Sequence, residues 1–218
     1  MQIYENCYII KNSLIRGLAD LQYRSIIKVL KSGRTLAKLD ILDYGSGLTN
    51  YKRYFNYNRY ATLDINFDAD YKSLEEVKDK FDLILLIEVL EHIADPKELL
   101  LKLSTYLKKD GQIWISIPFA ARIHPYPQDF HRFTEDGLKE LCKEFTIIEL
   151  IKRGNNLSTL SSKVNYMLFR KLKSWYFWLV LLLAPFALIL LFWSVINSDE
   201  PGLDDDPLGF FIKIKNKK

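Results

Sequence analysis

Apolar positions along the chain follow three different rhythms. Over residues 12–31, Leu14, Ile15, Leu18, Leu21, Ile26 and Val29 recur at helical spacing, with Arg16, Asp20, Arg24 and Lys28 between them. This predicts an amphipathic helix on a sheet edge or, alternatively, a lid over a ligand; Asn12 or Ser13 can cap it and Ser32-Gly33 ends it. Short apolar, β-branched runs predict strands at 39–44, 60–65, 81–87, 112–117, 145–151 and 208–215. The run 81–87 is almost unbroken, as suits a parallel strand buried on both faces. Between the strands the pattern predicts helices. One starts over 50–55, followed by a turn at Asn56-Tyr57-Asn58; a short capped one forms at Ser73-Leu74-Glu75-Glu76. Another opens at Asp95-Pro96 with a stripe of Leu99, Leu100, Leu103 and Leu107, before a turn at Lys108-Lys109-Asp110-Gly111. A last one covers 135–143 behind Thr134. Strands alternating with helices indicate an α/β sheet. The third rhythm is no rhythm: residues 175–196 are apolar all round and carry no charge.

Chemistry-bearing residues sit where the strands stop, and open α/β sheets bind ligands outside the carboxyl ends of their strands. Asp43 ends the first strand, and Gly45-Ser46-Gly47 lets the backbone turn and a ligand approach it. Asp64, followed by Ile65, ends the second strand, where a carboxylate can grip ribose hydroxyls. Asp68 and Asp70 are more ambiguous. Glu88 follows the run 81–87, and His92 is either a base or a structural residue. Residues 120–134 form a long polar and aromatic loop, a length usually associated with function. In it, His124 can exchange a proton near neutrality and Asp129 can orient it; the alternative is a plug in which Asp129 pairs with Arg132.

Asp43-Tyr44-Gly45-Ser46-Gly47, Asp64, Glu88-Val89-Leu90-Glu91-His92 and Lys108-Lys109-Asp110-Gly111 resemble the successive motifs of class I S-adenosylmethionine-dependent methyltransferases. His124-Pro125-Tyr126-Pro127 and Asp129-Phe130-His131-Arg132-Phe133-Thr134 resemble a type 11-like branch often associated with surface-polysaccharide or lipid-linked pathways. The resemblance covers about 39–150 and the last ten residues; where the family usually has a third glycine, this chain has Thr49. It implies a Rossmann-like sheet with helices on both faces and S-adenosylmethionine as cofactor, bound by Asp43, Gly45, Ser46, Gly47, Asp64, Ile65 and Glu88. It also implies two final strands that pair antiparallel, so that the segment between them is an insertion. The expected organisation is a methyltransferase domain over 1–157, a helical membrane-associating insertion over 158–200, and an acidic linker with the last strand over 201–218. His124, His92 and Asp129 are the candidate catalytic residues.

Composition narrows the partners. A net charge of +4, with no arginine-rich stripe, does not point to nucleic acid. Cys7 and Cys142 have no pairing pattern and read as reduced thiols, and three histidines without ligand spacing predict no metal site. The opening residues lack the pattern of a signal peptide. Residues 175–196 are long enough for a hydrocarbon core of ~30 Å, with Trp175, Tyr176, Trp178 and Trp193 as interfacial anchors and Lys163, Arg170, Lys171 and Lys173 ahead. Because the last strand must rejoin the sheet and Pro185 can bend the helix, the expectation is a dip into the cytoplasmic leaflet rather than one crossing. The expected protein methylates a small-molecule, sugar or lipid-linked acceptor at the membrane. The rival readings are an inactive, membrane-docked binding module and a nicotinamide-dependent oxidoreductase; the incomplete Gly-x-Gly-x-x-Gly pattern disfavours the latter.

Overall fold

A computed structural model describes residues 20–33, 35–49, 51–124, 127–171, 177–197 and 205–217. Cys7, the proposed caps Asn12 and Ser13, and the first apolar positions of the N-terminal helix lie outside the described residues. The strands are β1 (Leu39–Tyr44), β2 (Tyr57–Leu63), β3 (Phe81–Ile87), β4 (Leu107–Pro118), β5 (Phe145–Arg153) and β6 (Gly209–Asn216). The helices are α1 (Leu21–Ser32), α2 (Pro96–Ser104), α3 (Glu135–Leu141), α4 (Asn156–Lys171) and α5 (Phe177–Ile196). The chain divides into two compact units, 1–28 with 152–208 and 29–151 with 209–218.

The second unit holds a six-stranded mixed sheet in the order β2-β1-β3-β4-β6-β5. β1 runs parallel to β2 and β3, β3 runs parallel to β4, and β6 is antiparallel to β4. From β1 the chain moves outward to β2 and then returns to the other side of β1 for β3. The carboxyl ends of β1 and β3 therefore form the switch point where such sheets hold ligands. Ile41, Leu42, Ile84, Leu85, Leu86, Ile113, Ile115, Ile212 and Ile214 are wholly buried in this sheet. Each buried side chain of this size contributes about 1.5–3 kcal/mol.

Local chemistry explains where the elements begin. Asp95 accepts the Glu98 N–H at 2.9 Å and Pro96 opens α2. Leu99, Leu100 and Leu103 are buried, whereas Leu107 begins β4 instead of continuing the helical stripe. Lys108–Gly111 lies inside β4 as a bulge. The pairing jumps from Phe81↔Leu107 to Leu83↔Gln112, and Asp110 takes a φ of 63°. The Lys108 ammonium then bridges Asp40 at 2.6 Å and Asp82 at 2.9 Å. The helix expected over 50–55 is only a 3-10 turn, Lys52–Tyr54. Tyr57 and Asn58, expected to turn, already belong to β2, where Tyr57 pairs with Leu39, so too little chain remains for a helix. Buried Tyr51 and Phe55 pack this crossover, with the Phe55 ring 5.9 Å from that of Trp114.

In the first unit, α4 and α5 pack together. The Asn155 amide donates to Asn197 O at 2.6 Å and the Thr159 hydroxyl to Asp206 O at 2.7 Å. The buried Arg153 guanidinium donates to the Ser25 hydroxyl at 3.0 Å. α5 contains Pro185, exposes Trp178, Leu182, Phe186 and Phe192, and buries Ala187 and Ser194. Among the described residues, no helix is long and apolar enough to cross a membrane.

Gly33 ends α1 against β4. A Cβ there would lie 2.5 Å from Trp114 Cη2 and 2.9 Å from Cζ3. The indole is held by Phe211 and by Lys213, whose ammonium lies 4.6 Å from its centroid. Gly33→Ala should therefore lower the unfolding free energy by about 1–3 kcal/mol. Urea denaturation reads this directly, and an unchanged midpoint would show that the helix end is not seated on the indole.

Candidate active site

The ends of β1 and β2 bring two carboxylates and the glycine turn together. Asp43 is 2% exposed and accepts the Tyr60 hydroxyl at 2.7 Å. Burial pushes the Asp43 carboxyl up to about 7; the Tyr60 bond opposes this and the Asp64 charge adds to it. The Tyr60 phenol is pushed up in turn, by burial first and then by Asp43.

Gly45 and Gly47 both have positive φ, 69° and 53°, a conformation costly for side chains. Their surroundings differ. The Gly45 N–H donates to Leu63 O at 2.8 Å, and a Cβ at Gly45 would meet Val89 Cγ2 at 2.7 Å. A Cβ at Gly47 would meet nothing within 4 Å, so this is the open side of the turn. Ser46 is buried between them, its N–H 3.3 Å from Leu63 O.

Asp64 organises the turn. Its Oδ2 accepts the Gly47 N–H at 2.8 Å, and its Oδ1 accepts those of Asn66 at 2.8 Å and Phe67 at 3.0 Å. A carboxylate has about four acceptor sites, so about one remains open. Ile65 beside it is 75% exposed. Asp70 does not join this group; it accepts the Thr62 N–H and hydroxyl, at 2.8 and 2.9 Å.

At the end of β3, Glu88 has a φ of 57°. The Ser116 hydroxyl donates to its Oε1 at 2.8 Å, and its N–H donates to Ser116 O at 2.9 Å. A 3-10 turn, Leu90–His92, follows and meets the loop after β4. His92 Nε2 lies 3.2 Å from His124 Nε2. His92 Nδ1 is 2.7 Å from Gln128 O, and His124 Nδ1 is 3.0 Å from Arg122 O and 3.3 Å from Asp129 Oδ2. Burial pushes the His92 pKa down and keeps the ring neutral near pH 7. Arg132 pairs with both Asp129 oxygens, and this hydrogen bonding pulls the Asp129 carboxyl down to about 2. The two sequence readings of this loop are thus one arrangement, since the Asp129–Arg132 pair also fixes His124. Phe130 and His131 anchor the loop by donating their N–H groups to Glu91 O, at 2.7 and 3.3 Å.

The structure thus gathers Asp43, Gly45, Ser46, Gly47, Asp64 and Ile65 at one site, and His92, His124 and Asp129 beyond the ends of β3 and β4. Sequence reasoning missed Tyr60 and Glu91. Tyr60 shares the Asp43 side of β2 only through the pairing register. Glu91 lay inside a quoted motif, adjacent to His92. It is 1% exposed, and burial, with Glu88 next, pushes its carboxyl up to about 9.

Comparison with known proteins bears on the fold and the family. A protein-family model described as a methyltransferase domain matches residues 18–155. No curated protein sequence matches. Among solved structures, the chain is similar to coclaurine N-methyltransferase bound to N-methylheliamine and SAH, with a TM-score of 0.57 and 12% identity, over 88% of this chain and 70% of that one. It is similar to an S-adenosylmethionine-dependent methyltransferase from Clostridium acetobutylicum, with a TM-score of 0.55 and 11% identity, over 99% and 100% of the two chains. It is also similar to the 1,6-didemethyltoxoflavin-N1-methyltransferase of Burkholderia thailandensis with 1,6-didemethyltoxoflavin and S-adenosylhomocysteine bound; the TM-score is 0.55 at 15% identity, over 100% and 87%. At such identities the likeness shows the fold alone: the α/β Rossmann-like methyltransferase sheet. Joined to the family match over most of its length, it leads to one conclusion, that this chain belongs to the S-adenosylmethionine-dependent methyltransferases.

Proposed function

We propose that the enzyme methylates a hydroxyl of a small-molecule, sugar or lipid-linked acceptor at the cytoplasmic face of a membrane. The observation that carries the cofactor half of this reading is the meeting of Asp43, the glycine turn and Asp64 at the β1–β3 switch point. The sulfonium supplies the reactive methyl, so the protein has to bind, orient and exclude water. In this reading the open side of Gly47 admits the methionine portion, and buried Asp43, ionised, faces its ammonium. The remaining acceptor site of Asp64 takes one ribose hydroxyl directly. Exposed Ile65 offers an apolar surface to the purine, and Glu88, fixed by Ser116, closes the far side of the cofactor. For the acceptor, His124 is the general base, with Asp129 as its positioning residue and neutral His92 beside it. Thr49 in place of the third glycine favours the rival reading of an inactive binding module, which would take up the cofactor without turnover.

The membrane half rests on α5. Exposed Trp178, Leu182, Phe186 and Phe192 are more apolar surface than a monomer usually leaves in water. The chain leaves the sheet unit at Ile151 and rejoins it at Gly209, which favours a helix lying in the interface over one that passes through.

Asp64→Ala should weaken S-adenosylhomocysteine binding by roughly 1.5–3 kcal/mol, through loss of a charge-assisted hydrogen bond and of the Gly47 anchor. Isothermal calorimetry measures it; unchanged affinity in the variant would place the pocket elsewhere. Affinity should also depend on pH. Asp43 is neutral in the folded protein below about 7, so its attraction for the ligand ammonium is absent in acid and grows as pH rises through neutrality, by up to ~tenfold per unit. Tyr60→Phe removes a bond that lowers the Asp43 pKa, so the inflection should move to higher pH. A profile that is flat through neutrality, or unmoved in the variant, would contradict the role given to Asp43.

The enzyme should co-sediment with vesicles containing anionic lipid, and Phe186→Asp with Phe192→Asp should abolish this while S-adenosylhomocysteine binding persists. Equal sedimentation of both proteins would remove α5 from the membrane reading.

A further inference from the structure

The contact between His92 and His124 is chemically incomplete. A ring nitrogen that faces a carbonyl oxygen must carry its proton. His92 Nδ1 faces Gln128 O at 2.7 Å and His124 Nδ1 faces Arg122 O at 3.0 Å, so both Nδ1 atoms are donors. In neutral rings both Nε2 atoms are then bare lone pairs, and these face each other at 3.2 Å. Glu91 stands beside them, its Oε1 3.7 Å from His92 Nε2. Both of its carboxyl oxygens are buried without a hydrogen-bond partner. A shared proton can reconcile the two nitrogens, but it leaves both Glu91 oxygens unsatisfied, and 3.7 Å is too long for a hydrogen bond. One divalent cation satisfies all three groups.

We propose that Glu91 Oε1, His92 Nε2 and His124 Nε2 form a site for a divalent transition metal of the zinc type. Their ligand atoms lie within 4.8 Å of one another. Bonds of about 2.0–2.2 Å in a tetrahedral site put ligand atoms roughly 3.3 Å apart, close to the 3.2 Å separation of the two nitrogens; the Glu91 carboxylate has to draw inward to complete the set. Two imidazoles and one carboxylate suit zinc and leave a fourth position open. The outer shell is already in place, because each ring donates its other N–H to a carbonyl and Asp129 braces His124, as metal-bound histidines require. His124 is about one-third exposed, which gives an ion a way in.

The inference deepens the proposed function, for the fourth ligand would be the acceptor hydroxyl. Coordination lowers its pKa and its proton passes to water; its oxygen then bonds the methyl carbon, and the broken C–S bond returns its electron pair to sulfur. This replaces the base role that the proposed function gives His124 with that of a ligand, and the acceptors favoured are those with oxygen donors.

The test is metal binding by the full chain without cofactor, so its failure is distinct from failure of the methyltransferase reading. Protein stripped with a chelator and dialysed against Zn²⁺ should retain one equivalent by elemental analysis, and Co²⁺ in its place should give the visible absorption of a tetrahedral N,O site. His124→Ala, in a surface loop, and the isosteric Glu91→Gln should each weaken Zn²⁺ binding on the order of tenfold or more with unchanged circular dichroism. Wild-type protein that retains no zinc, or His124→Ala that retains as much as wild type, overturns the site.

Discussion

Three backbone N–H groups converge on the Asp64 carboxylate, and most of the cofactor site follows from that. One comes from Gly47 and two from Asn66 and Phe67, so a single side chain ties the turn after β1 to the loop after β2. Among the described residues the glycine turn is followed by a 3-10 turn at Lys52–Tyr54 and not by an α-helix, and the carboxylate ties down the loop. Hydrogen bonds to a charged group contribute about 1.5–3 kcal/mol each, enough to hold two positive-φ glycines in place. The same carboxylate keeps about one acceptor site unused, which the proposed function gives to the ribose.

The two glycines divide the work. Gly45 is needed by the fold itself, since any side chain would run into Val89. Gly47 borders open space, and there the absence of a side chain matters for what approaches from outside. Asp43 and Glu91 are two acids buried at the ends of β1 and β3. Both carboxyls are pushed far above their usual range by burial. Buried acids with raised pKa values are what a site for a cationic ligand needs, and in the proposed function Asp43 faces the ammonium of the cofactor.

Much of this was legible in the sequence. The run 81–87 reads as a buried strand because a nearly continuous apolar stretch between polar turns admits few alternatives, and the run 39–44 because it breaks at Gly45-Ser46-Gly47. The last strand was legible from partial alternation and takes its place between β4 and β5. The stretch expected as a helix over 50–55 holds a 3-10 turn at Lys52–Tyr54, because β2 already begins at Tyr57 and local pattern does not reveal that early start. Lys108–Gly111 carried a correct turn signal but sits within β4, a matter of register. Tyr60 and the Glu91–His92–His124 cluster depend on which side chains meet across strands and loops, and no spacing along one chain records that.

A crystal structure with S-adenosylhomocysteine shows directly whether the cofactor lies across the carboxyl ends of β1 and β2. The expected result is the homocysteine portion over Gly45–Gly47 with its ammonium toward Asp43, and a ribose hydroxyl within hydrogen-bond distance of Asp64 Oδ2. A ligand bound elsewhere, or one bound here with no ribose contact to Asp64, would contradict it.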